Sequence, residues 1–192
     1  MEGKWAPHYL HARPLKLRHV PERAIYVEQW SNFFQTAASV NATLAGFLIV
    51  AISVNAKEII AMPRLPGRAA EAIIPLVGSL VIEMVALIPM QQASVFGLVV
   101  LVIGVLVWIL CLFMQIMSVR FAKATGQSRA MGSHIFLFHL VINHLQSLPF
   151  IIAGILVMLN LAESLYWIAV GAVIVLIIST VNVWVLLIEI LR

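Results

Sequence analysis

Residues Trp30–Ile60 read WSNFFQTAASVNATLAGFLIVAISVNAKEII. The apolar part of this stretch, from about Phe33 to Val54, is long enough to cross the roughly 30 Å hydrocarbon core of a bilayer as an α-helix. It also carries more polar and small residues than a simple membrane anchor needs. The 3.6-residue period of a helix places these residues on one side: Asn32, Gln35, Thr36, Ser39, Thr43, Gly46, Val50 and Ser53.

The opposite side of this helix is apolar and carries Phe34, Leu48 and Ile52. Because polar side chains are costly in hydrocarbon, we expect the polar side to face other helices or water. In one interpretation, its hydroxyls and amides hold a helix bundle together by hydrogen bonds. In another, the same side lines a polar path through an oligomer, and a ligand pocket is a third possibility.

The composition of the whole chain is that of an integral membrane protein. Of its 192 residues, 62% are hydrophobic and only 10% are charged, whereas soluble domains contain about a quarter charged residues. The single cysteine, Cys111, excludes an intrachain disulfide and lies in a predicted span. The net charge of +4 comes from Lys and Arg in the tails and loops. In a membrane protein this charge indicates topology and lipid contact, not nucleic-acid binding.

We predict an all-α fold, an integral membrane bundle of five transmembrane helices with a basic N-terminal interfacial segment. Residues 1–29 form the basic tail with a short interfacial helix, and residues 30–192 form the transmembrane domain. The predicted spans lie at about 33–54, 70–89, 95–118, 135–159 and 165–190. The third span is the most apolar, and we expect it to face lipid along much of its length. Gly97 and Gly104, seven residues apart in this span, predict a close contact with another helix.

The charges of the loops predict an orientation in the membrane. Two long loops each contain three Lys or Arg residues, while the two short hairpins contain none. The positive-inside rule applied to these loops places them and the C-terminus on the cytoplasmic side, and with five spans the N-terminus is then outside. The N-terminal tail, with five Lys and Arg residues, favours the opposite orientation. We expect a multi-pass protein of the plasma (inner) membrane.

Glu83 is the only acidic residue well inside a predicted span. A charge at that depth costs several kcal/mol unless it is paired, hydrated or protonated. The functional interpretation is a proton relay or a cation ligand. The structural interpretation is a hydrogen bond to a backbone carbonyl or to a serine such as Ser79, one helical turn earlier.

The fourth predicted span is polar in its first half. His139, Asn143 and Gln146 share one face, and His144 lies off that face. A histidine in a membrane can titrate near neutral pH, and the two amides can orient it; the alternative is a ladder of interhelical hydrogen bonds. A pair formed by Glu83 with His139 or His144 would join these two candidate sites. The sequence contains no motif for catalysis, and we expect no metal site and no cofactor.

The run ATLAGFLIVA, residues Ala42 to Ala51, resembles the pore-lining first helix of Orai-type calcium channels. The resemblance implies a pore-lining role for this helix. It does not imply calcium selectivity, because the family's acidic residue would fall near Val54 and its basic pore residue near Ser39. The longer pattern W-x-x-F-F, S-V-N and L-P-G-R-A-A-E resembles small bacterial multi-span proteins of unassigned function. Some of those proteins are labelled modulators of a membrane-bound protease.

These observations lead to two hypotheses about function. The first is a homo-oligomeric channel-like or transport protein, in which copies of the first span surround a polar path for an ion. The second is a membrane interaction protein that conducts nothing and regulates another membrane complex, such as a protease. In both cases we expect contact with the lipid bilayer and no enzymatic activity.

Overall fold

The computed structural model describes residues 22–61, 65–89, 92–124, 133–161 and 163–191. The regular elements in these ranges are all helices. In chain order they are α1 (Glu22–Val54), α2 (Ala56–Ala61), α3 (Leu65–Ala86), α4 (Ala93–Ala124), α5 (Ser133–Met158) and α6 (Ser164–Leu191). Most of the predicted basic tail, residues 1–21, lies outside the described residues, as does 125–132 of the second charged loop.

Four of the helices contain segments that are long and apolar enough to cross a membrane. These segments are Trp30–Val54, Leu65–Ala86, Ala93–Met117 and Ser164–Ile188. The described residues confirm the all-α class, and these four segments fit the predicted multi-span membrane protein. Helix α5 has 26 residues, but the apolar segment identified within it, His144–Met158, is shorter. The fifth span therefore stays a prediction.

The first predicted loop is more helical than the sequence indicated. Helix α2 occupies part of it, and α3 begins at Leu65, about one turn before the predicted start of the second span. Pro66 and Gly67, residue types typical of turns, lie in the first turn of α3. Proline is tolerated there because the first amide groups of a helix have no intrahelical acceptor.

Neighbouring contacts define the directions of the helices. Trp30, at the start of the membrane-crossing segment of α1, packs edge-on against Tyr166 near the start of α6. Their ring centroids are 4.8 Å apart. Further along, Leu48 of α1 and Leu186 of α6 belong to the same buried cluster. Helices α1 and α6 are therefore parallel. Helix α3 is antiparallel to both. The hydroxyl of Ser179, in the second half of α6, donates to the carbonyl of Ala72 in the first half of α3, 3.2 Å away. Asn41, near the middle of α1, meets Glu83 further along α3.

Helices α4 and α5 are antiparallel and pack closely through glycines. A Cβ added to Gly97 would lie 2.9 Å from the carbonyl oxygen of Gly154, and one added to Gly104 would lie 3.2 Å from the amide nitrogen of Ile151. The sequence predicted a close helix contact at Gly97 and Gly104, and the structure confirms it. Gly154 is the reciprocal position on α5, in contact with Leu101.

The burial of side chains agrees with the sides predicted for the first and third spans. Phe34 and Leu48 are completely buried, as expected for the apolar side of α1. On α4, large apolar side chains recur on one exposed face at helical spacing, as expected for a lipid-facing helix: Leu98, Val102, Leu106, Ile109 and Phe113.

Candidate functional site

A buried polar cluster joins α1 to α3, and it consists of Asn41, Ser79 and Glu83. The side-chain amide of Asn41 donates to Glu83 Oε1, with 2.7 Å between Nδ2 and the oxygen. The Ser79 hydroxyl donates to the same oxygen at 2.8 Å, and Asn41 Nδ2 also lies 3.4 Å from Ser79 Oγ. The three residues are 2%, 1% and 0% exposed, respectively.

The positions of these residues follow from helix geometry. Ser79 and Glu83 are four residues apart and therefore lie on the same face of α3. Asn41 lies about 16 Å along α1 from Trp30, the first residue of the candidate span, at 1.5 Å per residue. That distance is about half the thickness of the hydrocarbon core, so the cluster lies near the middle of the span.

The sequence predicted only part of this cluster. The contact between Glu83 and Ser79 was one of the expected alternatives, and it is present. Asn41 was missed, because it lies outside the polar side of the first span. A signal was available: Phe34, Asn41 and Leu48 follow one another at seven-residue intervals, which places the amide on the buried apolar side.

The second oxygen of Glu83, Oε2, has no hydrogen-bond partner among the described residues. Within the described part of the chain, Oε2 is buried and unpaired, and the polar contacts of this side chain are those with Asn41 and Ser79. Neither partner carries a charge. An ionised Glu83 would thus keep a net negative charge in apolar surroundings, with only two neutral donors to stabilise it.

The residues predicted to line a path form the α1 polar face, which we define as Asn32, Gln35, Ser39, Thr43, Gly46, Val50 and Ser53. Each of these residues is exposed in the protomer. A Cβ added to Gly46 would meet no atom within 4 Å. Asn41 is on the opposite side of the same helix, so α1 carries the buried polar cluster on one side and the α1 polar face on the other.

The hydroxyls of this face are bonded to their own helix. Ser39 and Thr43 each donate to the carbonyl four residues earlier at 2.8 Å, and Ser53 does so at 2.7 Å. These bonds satisfy the hydroxyl hydrogens and leave the oxygen lone pairs directed away from the helix. The face therefore presents hydrogen-bond acceptors at the surface.

A groove runs beside the α1 polar face, between α1 and α6. Its volume is about 450 Å³, and it is lined by Ser39, Val40, Thr43, Leu44, Phe47, Leu176 and Thr180. Most of this lining is apolar, and the Thr180 hydroxyl donates to the carbonyl of Leu176. The groove lies on the outside of the protomer, so a neighbouring molecule can reach it.

The candidates on α5 do not all come together. His144 Nδ1 accepts a hydrogen bond from Trp108 Nε1 at 2.7 Å, which ties α5 to α4. His144 is therefore engaged with Trp108 and not with Glu83. Gln146 is completely buried, whereas the side chains of His139 and Asn143 lie outside the described residues. The expected pair of Glu83 with His139 is therefore untested.

The part of the chain that the structure describes contains no group of three His, Cys, Asp or Glu side chains able to share a metal ion. Cys111 is buried and free. The chain matches no protein-family model, no curated protein and no solved structure. The described residues thus form an all-helical fold with four segments able to cross a membrane, and a buried carboxyl lies between the first two of these segments.

Proposed function

We propose that the protein is a homo-oligomeric, channel-like membrane protein in which the α1 polar face of each copy is directed toward a common axis. The exposure of this entire face along the candidate span Trp30–Val54 is the observation that supports the proposal. The opposite side of α1 packs against α3, so the polar face is free to meet other copies. Around a symmetry axis, copies of one helix can build a polar path that a small single bundle has no room for.

We also propose that α5 is a fifth span, which this arrangement requires. Helices α1 and α6 are parallel, and α1, α3 and α4 alternate in direction. The chain therefore leaves α4 on one side of the membrane and enters α6 on the other. At 1.5 Å per residue, the 26 residues of α5 extend about 39 Å, enough for the crossing.

The same arrangement supports a cytoplasmic C-terminus. Lys57, Arg68 and Arg120 lie at the end of the bundle where α1 and α4 finish and α3 starts, and α6 also finishes there. Basic residues on one side of a membrane mark the cytoplasmic side. In this proposal the membrane is the plasma (inner) membrane.

Ion and solute flux into proteoliposomes tests the proposed path. We expect flux above that of protein-free liposomes. In Thr43→Leu the flux is expected to fall at least about tenfold, equivalent to ~1.4 kcal/mol on the barrier, because an apolar side chain replaces an acceptor oxygen. Thr43→Ser, which keeps the oxygen, should retain the flux.

The matched control for this experiment is Val102→Leu, an enlargement on the exposed face of α4, which should leave the flux unchanged. Equal flux in Thr43→Leu and wild type would contradict a path along α1. An absence of flux from well-folded protein with every cation and anion tried would do so as well.

A second function, that of a non-conducting interaction protein, is favoured by the groove between α1 and α6. Its mostly apolar lining and hydroxyl-bearing edges suit an apolar helix of another membrane protein, since small and hydroxyl residues promote close helix packing in membranes. In this case a partner should co-purify with the wild type and be lost in Phe47→Ala, with no flux in either protein.

A further inference from the structure

We infer that Glu83 is a proton-binding site, that its proton is held while α1 and α3 are closed against each other, and that the proton leaves only when this contact opens. The inference concerns the interior of one protomer. It does not depend on whether the α1 polar face lines a path or binds a partner.

The first argument is the absence of a nearby counter-charge. The span segments of α1, α4 and α6 contain two titratable residues, Cys111 and Tyr166. Tyr166 packs on Trp30. On α4, Val107 contacts α3 at Gly78, more than one turn before Glu83. Cys111 lies one turn further along α4, in the direction away from Glu83. In α3 itself, Arg68 and Glu71 are about 18 Å or more away along the helix.

The remaining helix, α5, supplies no counter-charge either within its described side chains. His144 is its titratable group there, and its Nδ1 accepts the hydrogen of Trp108. The described surroundings of Glu83 are thus neutral on every helix. Burying an unpaired charge costs several kcal/mol, so binding a proton is the direct way to make the carboxyl neutral.

The second argument is the division of roles between the two oxygens of Glu83. Oε1 accepts from both Asn41 and Ser79, as the carbonyl oxygen of a neutral acid does. Oε2 is buried and has no donor beside it in the described residues, so it is the oxygen available to carry the proton. In a carboxylate, donors would be expected at both oxygens, since both carry charge.

The third argument concerns the competing ligand, a metal cation. The cluster offers two carboxylate oxygens, one hydroxyl oxygen and, after rotation of the amide, one oxygen from Asn41. That set is smaller than the roughly six to eight oxygen ligands of Ca²⁺. A proton needs only the single free oxygen that the structure provides.

The consequence of proton loss follows from the position of Asn41. The amide that bonds Glu83 belongs to α1, the helix that bears the α1 polar face. When Glu83 is neutral, α1 and α3 can stay closed. When it is charged, water or a cation must reach the cluster, and α1 must separate from α3 to admit it. Protonation is therefore coupled to the position of α1.

Infrared spectroscopy of the purified protein in lipid tests this inference. We expect a carbonyl stretching band of a protonated carboxyl group at neutral pH, lost in Glu83→Gln and kept in Glu71→Gln, the matched change on the same helix. In Asn41→Leu the band should move to higher frequency, because the carbonyl oxygen loses one hydrogen bond. A Glu83 side chain without a bound proton would give no such band at neutral pH.

Labelling with a hydrophobic carbodiimide tests it in the wild-type protein, without any variant. The acid gives its proton to a carbodiimide nitrogen, and the carboxylate oxygen adds to the central carbon; rearrangement then leaves an acylurea on the side chain. We expect this adduct on Glu83 at neutral pH, formed when α1 opens from α3 and admits the reagent, and its loss at alkaline pH. A wild type with no such adduct and no protonated-carboxyl band at neutral pH would overturn the inference. So would protection by a metal cation, since that would make the cluster a metal site.

Discussion

Replacing Gly154 with alanine is expected to lower the free energy of unfolding by about 1 to 3 kcal/mol, the usual cost of overpacking a tight interior. A Cβ at this position would lie 2.7 Å from the backbone nitrogen of Leu101 and 2.8 Å from its Cα. Because these are backbone atoms, they cannot rotate away as the end of a side chain can. Helices α4 and α5 must move apart, and contacts along the whole interface weaken.

Thermal or denaturant unfolding in detergent measures this effect, with Gly67→Ala as the matched control. A Cβ at Gly67 meets no atom within 4 Å, so this change should leave stability unchanged or raise it by up to about 1 kcal/mol through helix propensity. Equal stability of the two variants would show that α4 and α5 do not pack as described.

Replacing Asn41 with leucine is expected to destabilise the protein by about 1 to 3 kcal/mol, since it removes a donor from a carboxyl that stays buried. Replacing Asn41 and Glu83 together by leucine should restore most of the loss. Both partners are then gone, and an apolar pair in a buried site is close to neutral or stabilising. Ser79 can bond to a carbonyl of its own helix, as Ser39 and Thr43 do.

The double-mutant cycle over Asn41 and Glu83 supplies the measurement. We expect a coupling energy of about 0.5 to 3 kcal/mol, the range for residues in direct contact. Glu71→Leu combined with Asn41→Leu is the control, because Glu71 is distant from the cluster and the two effects should add. Additive effects for Asn41 and Glu83 would mean that their hydrogen bond is absent from the folded protein.

Much of the fold could be predicted from the sequence because it depends on local pattern and composition. Long apolar segments predict membrane helices wherever they pack. Periodicity alone predicts that the side of α1 with Phe34 and Leu48 is its buried side. The contact at Gly97 and Gly104 was also visible, since small residues at heptad spacing permit close approach. Helix α2 was missed, because a charged segment between two spans carries little periodic signal.

The buried polar cluster was harder to predict because it depends on how α3 is aligned against α1. Ser79 was accessible to reasoning, as it is one turn from Glu83 on the same helix. Asn41 is 42 residues from Glu83 in the chain. No sequence pattern shows which residues of two antiparallel helices lie at the same level along the helix axes. His144 illustrates the same limit, since its partner proved to be Trp108 on α4 and not Glu83.

The most direct test of the central claim, that α1 of each copy faces the others, is disulfide cross-linking in the native membrane. Cys111→Ala removes the buried natural cysteine, and Thr43→Cys then places a thiol on the α1 polar face. We predict that oxidation, or a short thiol-to-thiol reagent, links Thr43→Cys into covalent dimers, whereas Leu106→Cys on the exposed face of α4 stays monomeric. Monomeric Thr43→Cys, or equal linking at both positions, would contradict an arrangement of α1 around a common axis.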